Sequence, residues 1–235
     1  MIKRYFATKD NTITNAFEED LVTRGTGSNM GASDILEVFS IYGQASSGSS
    51  ELSRVLIEFD IDAINADRSN DKLGSSGSVG FYLKLYNAPH SKTVPRDYTI
   101  EVLDVSRAWE EGYGIDMDNY QDLTKGGIGS NWMSASSDEG WSNVGGDHHS
   151  SLPVVQSFET GLEDLCVDVT DSVERWISGR RTNYGFLIKL SSSFEAYASS
   201  SYGYYGTAGE SLTASLIHNA TGSTKSFYTK KFFGR

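Results

Sequence analysis

The chain has 235 residues, enough for one large all-β domain or two small ones with a buried core. Only 38% of residues are hydrophobic, while Gly, Ser, Thr and Asn are abundant, which suits short strands joined by turns better than a helical bundle. A formal charge of −11 and a pI near 4.8 repel a nucleic-acid backbone, and no segment approaches the length of a membrane span, so neither is an expected partner.

The opening MIKRYFATKDNTIT carries no apolar stretch of signal-peptide length, which predicts synthesis in a cytoplasm without a secretory leader. Gly25 to Gly31, RGTGSNMG with its leading arginine, follows no strand-to-helix pattern, so a phosphate cradle is not expected. Residues 43 to 51, GQASSGSSE, read as a polar connection. In SRVLIEFD the apolar residues Val55, Ile57 and Phe59 alternate, as in a strand with one buried face. Residues 66 to 78 read as another loop. Val79, Phe81, Leu83 and Leu85 then alternate with charged Lys84 on the opposite face, and TIEVLDV (99–105) continues the pattern.

Residues 110 to 161 form the longest irregular region, too long for an idle connection. Within it, Asp116, Asp118 and Asp122 are candidate ligands for a structural calcium ion, which accepts carboxylates in loose geometry. The spacing does not complete an EF-hand loop, and a solvated acidic loop is the alternative. Adjacent His148 and His149 on an extended chain point to opposite faces, which disfavours a shared metal. Trp132 and Trp141 are candidates for a sugar-stacking platform or a protein interface. The single cysteine, Cys166, cannot staple the fold; it sits on the face of LCVDV opposite Leu165, Val167 and Val169.

DVTDSVERWISG predicts a short helix over 171–178 that plugs one end of a β-structure. Asp171 is the expected cap, Val173, Trp176 and Ile177 form the apolar stripe, and Gly179 ends it beside Arg180 and Arg181. GFLIKL (185–190) returns as a strand. Tyr202, Tyr204 and Tyr205 fall in an aromatic loop and are further ligand or interface candidates. The tail residues Phe227, Tyr228, Lys230, Lys231, Phe232 and Phe233 suggest a docking arm, or a linker to a further domain, beyond a single domain spanning 1–220. Strands recur with turns between them, which predicts an all-β antiparallel β-sandwich, jelly-roll-like, with one short helix.

Four segments, NMGASDILEV (29–38), SRVLIEFD (53–60), GFYLKLY (80–86) and VSRAWEEG (105–112), together with the late helix–strand unit, resemble the DNRLRE-type jelly-roll domain, which is grouped with a family of carbohydrate-binding modules. The opening 34 residues joined to KSFYTKKFFGR are similar to virion structural proteins of marine tailed phages. These resemblances imply a non-enzymatic structural or adhesion protein of a phage particle, a tail, fibre or capsid-surface component assembled in the host cytoplasm. Its partners would be other virion proteins and further copies of itself, and no cofactor beyond the possible calcium is implied. The alternative is a carbohydrate-binding module for host or environmental polysaccharide. No serine stands in a nucleophile elbow and Cys166 has no partner base in the sequence, so an enzyme is not expected.

Overall fold

A computed structural model describes residues 2–42, 50–90, 94–124, 126, 128–151, 153–195, 197–199, 203–205, 211–212 and 227–234. In chain order the elements are β1 (Ala7–Thr14), β2 (Ile35–Tyr42), β3 (Ser50–Phe59), α1 (Ile61–Ser69), β4 (Tyr82–Leu85), β5 (Tyr98–Asp104), β6 (Met117–Asp118) and β7 (Gln121–Asp122). They continue with β8 (Val154–Phe158), β9 (Leu165–Asp168), α2 (Thr170–Ile177), β10 (Phe186–Leu190), α3 (Ser192–Glu195), β11 (Tyr197–Ser199), β12 (Gly203–Tyr205), β13 (Ser211–Leu212) and β14 (Phe227–Phe233).

The fold is all-β, antiparallel and sandwich-like. The main sheet runs β14-β2-β3-β10-β5-β8, with β1 also paired to β3. Strand β3 is the hub: Ser53–Phe59 pair with β1, Ser50–Leu52 with β2, and Val55–Ile57 with β10. Its alternation sends Val55 and Ile57 to one face and Leu52 and Leu56 to the other, and all four are buried. The sequence predicts one buried face for this strand. Both are covered, because each face of the sheet has its own apolar layer.

The first layer is the β4–β9 ribbon with helices α1 and α2. Leu83 and Leu85 of β4 and Leu165 and Val167 of β9 point inward to meet Val55, Ile57, Ile100, Phe186 and Ile188 of the sheet. Tyr82, Lys84 and Cys166 point outward, as the alternation requires. Helix α2 seals this layer. Trp176 lies 4.8 Å from Phe186 between ring centroids, and Val173 packs beside it. Gly179, at φ +70°, closes the helix in the left-handed conformation. The cap position lies two residues before the expected one. Val169 holds the cap position, Asp168 accepts the Thr170 N–H at 2.9 Å, and Asp171 instead pairs with Arg175 at 2.8 Å.

Helix α1 is a second correction, since its last turn falls in the predicted 66–78 loop. Asp60 caps it, accepting the N–H groups of Asp62 and Ala63 at 2.9 and 3.3 Å. Ile64 is its only buried apolar residue and Ile61 is partly buried, so the stripe is too thin to show as a periodicity.

The second layer is the long insertion together with residues 105–109 that lead into it. Trp109, Trp132, Trp141, Ala135 and Val105 pack on Ile13, Leu52, Leu56, Leu103 and Leu187. Beside them Phe39, Ile41 and Tyr120 form a smaller cluster around the β6–β7 hairpin.

The tail is corrected as well. Residues 227–233 are an integral strand of the main sheet. They pair with β2 from Phe227↔Ile41 to Phe233↔Ile35, and bury Thr229, Lys230 and Phe232. A strand whose backbone groups are satisfied by β2 and whose phenylalanine fills the core is not an arm, and the domain extends past residue 220 to include it.

Candidate functional site

An apolar cleft of about 780 Å³ opens beside β4. One wall is Val79–Tyr86, the other is the extended segment Ile2–Ala7, and Ile64, Trp176 and Phe186 lie at its base. The extended segment is moored by side chains. Lys3 forms an ion pair with Asp67 of α1, and the Tyr5 hydroxyl donates to the same carboxylate at 2.8 Å. Burial pushes the Tyr5 hydroxyl above its ordinary value, which keeps it protonated as a donor.

Strand β4 is paired on one edge only. Tyr82↔Asp168 through Leu85↔Leu165 join it to β9. On the other edge the end of β14 pairs as far as Tyr86, whose carbonyl accepts the Phe233 N–H at 3.0 Å. Across Tyr82–Leu85 that edge has no backbone partner among the described residues. Around the mouth, Ile2, Phe6, Tyr82, Tyr86 and Phe233 are 91, 79, 64, 49 and 50% exposed. The charged residues lining the cleft are Lys3, Arg4 and Lys84, all cations in a chain of net charge −11.

A second notable site is a buried ion network on the opposite face of the main sheet. The Arg54 guanidinium donates to both oxygens of Glu195 at 2.6 and 2.9 Å, and to the Gly145 carbonyl at 2.9 Å. Lys189 lies 3.3 Å from Glu195 and 3.2 Å from Glu101. The guanidinium also stacks over the Trp132 ring, 5.2 Å from its centroid. Burial opposes ionisation of Glu195, but Arg54 and Lys189 outweigh it and hold the carboxyl below its usual range. The groups satisfy one another, and the network binds α3 and the insertion to the sheet.

The residues singled out in the sequence fall in different places. Trp132 and Trp141 are buried in the second-layer core, so they form no exposed platform. Trp141 donates its indole N–H to the Asn131 carbonyl at 2.8 Å, and Trp109 donates to that of Tyr184 at 2.9 Å. An insertion covering an apolar sheet face needs large side chains turned inward, which is where these tryptophans go. Tyr202 lies outside the described residues. Tyr204 and Tyr205 belong to β12 of a small β11–β12–β13 sheet.

The calcium candidates do not converge, and among the described residues no three acidic, histidine or cysteine side chains are grouped as a metal requires. Asp116 accepts the Asn29 N–H at 3.3 Å, Asp118 accepts from Asn119 at 3.2 Å, and Asp122 accepts the Thr124 N–H at 2.8 Å. Of the tail residues, Tyr228 is partly buried against the first-layer core, and Phe227 packs 5.3 Å from Tyr120. Lys231 pairs with Glu37 at 3.0 Å, and Lys230 donates to Asn87 and to the Gly161 carbonyl at 2.6 and 2.9 Å. Phe233 is the one of these side chains that is half exposed, at the cleft mouth.

His148 and His149 serve packing and pairing. His148 bridges to Val105 with its ring against the Gly146 carbonyl, and burial lowers its affinity for a proton. Sequence reasoning missed the cleft. Its only linear trace was the aromatic–cation–aromatic pattern Tyr82, Lys84, Tyr86 on the outer face of one strand. Comparison with protein-family models, with curated proteins and with solved structures found no match.

Proposed function

We propose that this chain is a non-enzymatic structural protein of a phage particle, a tail, fibre or capsid-surface component that works by protein–protein contact. The single observation that carries the reading is the cleft with its rim. Five large apolar side chains stand exposed around one opening, in a molecule whose main sheet carries an apolar layer on each face. Contiguous exposed apolar surface of this kind marks interaction sites. The resemblance of the chain's two ends to phage virion proteins supplies the setting. Mass spectrometry of purified particles tests it: the chain is expected as a stoichiometric component, and its absence from intact infectious particles overturns the reading.

One observation favours a second reading, a carbohydrate-binding module. Tyr82 and Tyr86 project from the same face of β4 with Lys84 between them, its ammonium 4.5 Å from the Tyr86 ring centroid. Two exposed rings about 13 Å apart along the chain suit stacking on separate sugars of an extended glycan. A glycan array decides it: retention of a polysaccharide that Tyr82→Ala and Tyr86→Ala abolish would support this function, and no retention removes it.

A further inference from the structure

We infer that the cleft beside β4 receives an extended peptide strand of a partner protein, one that alternates apolar with acidic residues and pairs with the free edge of β4. The inference rests on the proposed role in protein–protein assembly and names the chemistry of the partner.

Three observations converge on this occupant. The first is backbone chemistry. The edge of β4 facing the cleft has no partner across Tyr82–Leu85, and the opposite wall, Ile2–Phe6, makes no backbone hydrogen bond among the described residues. Unpaired strand edges are templates for added strands. The pairing that β14 makes as far as Tyr86 sets the direction in which a new strand would continue.

The second is shape and polarity. The volume of about 780 Å³ lies within the range of pockets that enclose a small ligand, and the four-residue edge spans about 13 Å. The base presents Ile64, Val173, Trp176 and Phe186, predominantly apolar side chains that suit the inward residues of a strand.

The third is charge. Lys3, Arg4 and Lys84 are the charged residues of the lining, and they stand in a chain whose overall charge is strongly negative. Lys3 is committed to Asp67, Lys84 sits 3.7 Å from Asp164, and Arg4 is exposed. Arg4, exposed and without an ion pair among the described residues, favours an anionic partner and steers its approach. An acidic strand fits both requirements, with its apolar residues turned into the cleft and its carboxylates turned to the rim.

The test uses the full chain and a fluorescein-labelled peptide of nine residues alternating Glu with Val and Ile. Fluorescence anisotropy at low salt is expected to show saturable binding, and amide hydrogen exchange is expected to slow at Tyr82–Leu85. The double variant Arg4→Glu/Lys84→Glu, with unchanged melting, is expected to bind at least tenfold more weakly. The same peptide N-methylated at alternate backbone nitrogens keeps its side chains and is expected to lose binding. Absence of saturable binding up to millimolar peptide overturns the inference. So does equal binding of the N-methylated peptide, or displacement of the peptide by a polyuronate. Failure of the peptide with the chain still present in particles overturns this inference alone; peptide binding with the chain absent from particles overturns only the virion assignment.

Discussion

Arg68 of α1 and Glu174 of α2 form a two-pronged ion pair, with nitrogen–oxygen distances of 2.8 and 2.7 Å, that joins the two helices of the first layer. Neither helix caps the other's backbone, so this pair and the apolar contacts beneath it set their relative position. The contact with Arg68 holds the Glu174 carboxyl below its ordinary range and raises the arginine further. Arg68→Ala or Glu174→Ala is expected to cost about 1 kcal/mol, because the pair is well aligned but partly exposed to solvent. A double-mutant cycle by thermal melting checks this: both single variants should lose about 2–4 °C, and the double variant should lose much less than their sum.

The Arg54–Glu195 pair differs because it is buried. Removing one partner leaves an uncompensated charge, so Arg54→Met is expected to destabilise by about 3–5 kcal/mol. Exchanging both residues for apolar ones, Arg54→Met with Glu195→Leu, is expected to recover part of that loss, since Lys189 keeps Glu101. Urea denaturation midpoints of the three proteins measure it. A single variant as stable as wild type would mean that the network does not hold the face together.

Trp132 is fully buried against the main sheet beside Arg54, and the Gly145 backbone passes so close that a Cβ there would meet the indole at 2.9 Å. Trp132→Ala is expected to cost about 3–5 kcal/mol through lost burial and the cavity left behind. The near-ultraviolet circular dichroism of the insertion should collapse with it. Tyr82→Ala, on the exposed face of β4, is expected to change stability by less than about 0.5 kcal/mol. Side-by-side melting of the two variants separates a packing tryptophan from a surface tyrosine.

Lys230 supplies a pH dependence. Burial lowers its affinity for a proton, from an ordinary value of 10.5 to about 8, against the pull of Glu163 and Asp164. A lysine with a depressed folded value is more protonated in the unfolded chain between about 8 and 10.5, so its contribution to stability rises with pH across that window. Stability measured in denaturant from pH 7.5 to 10.5 should therefore climb by on the order of 1–3 kcal/mol from this group, and Lys230→Met should flatten the climb. At the acid end the slope has the same sign, because a carboxyl with a depressed folded value also leaves the unfolded chain more protonated. Burial works against ionisation of Glu163, but the N–H groups of Thr160 and Glu159 prevail and bring it to about 2. Its contribution is complete above the unfolded value near 4.5 and is lost as pH falls toward 2, so Glu163→Gln should reduce the acid sensitivity.

Several parts of the fold were legible in the amino-acid order because they depend on local periodicity. The alternations in β3, β4 and β9 assign Val55, Ile57, Leu83, Leu85, Leu165 and Val167 to the inside from neighbouring residues alone. The i, i+3 spacing of Val173 and Trp176 likewise requires only one helix to bury an apolar stripe. Other decisions needed partners far along the chain. Whether 227–233 is an arm or a strand depends on β2, almost 200 residues earlier, offering an open edge in matching register. The direction of Trp132 and Trp141 depends on Leu52, Leu56 and Leu187 leaving an apolar face that the insertion must cover. The cleft exists because β4 finds a neighbour on one side only over Tyr82–Leu85. Side-chain alternation is written residue by residue in the sequence, whereas strand neighbours and covered faces are set by which distant segments meet, and only the tertiary structure decided those.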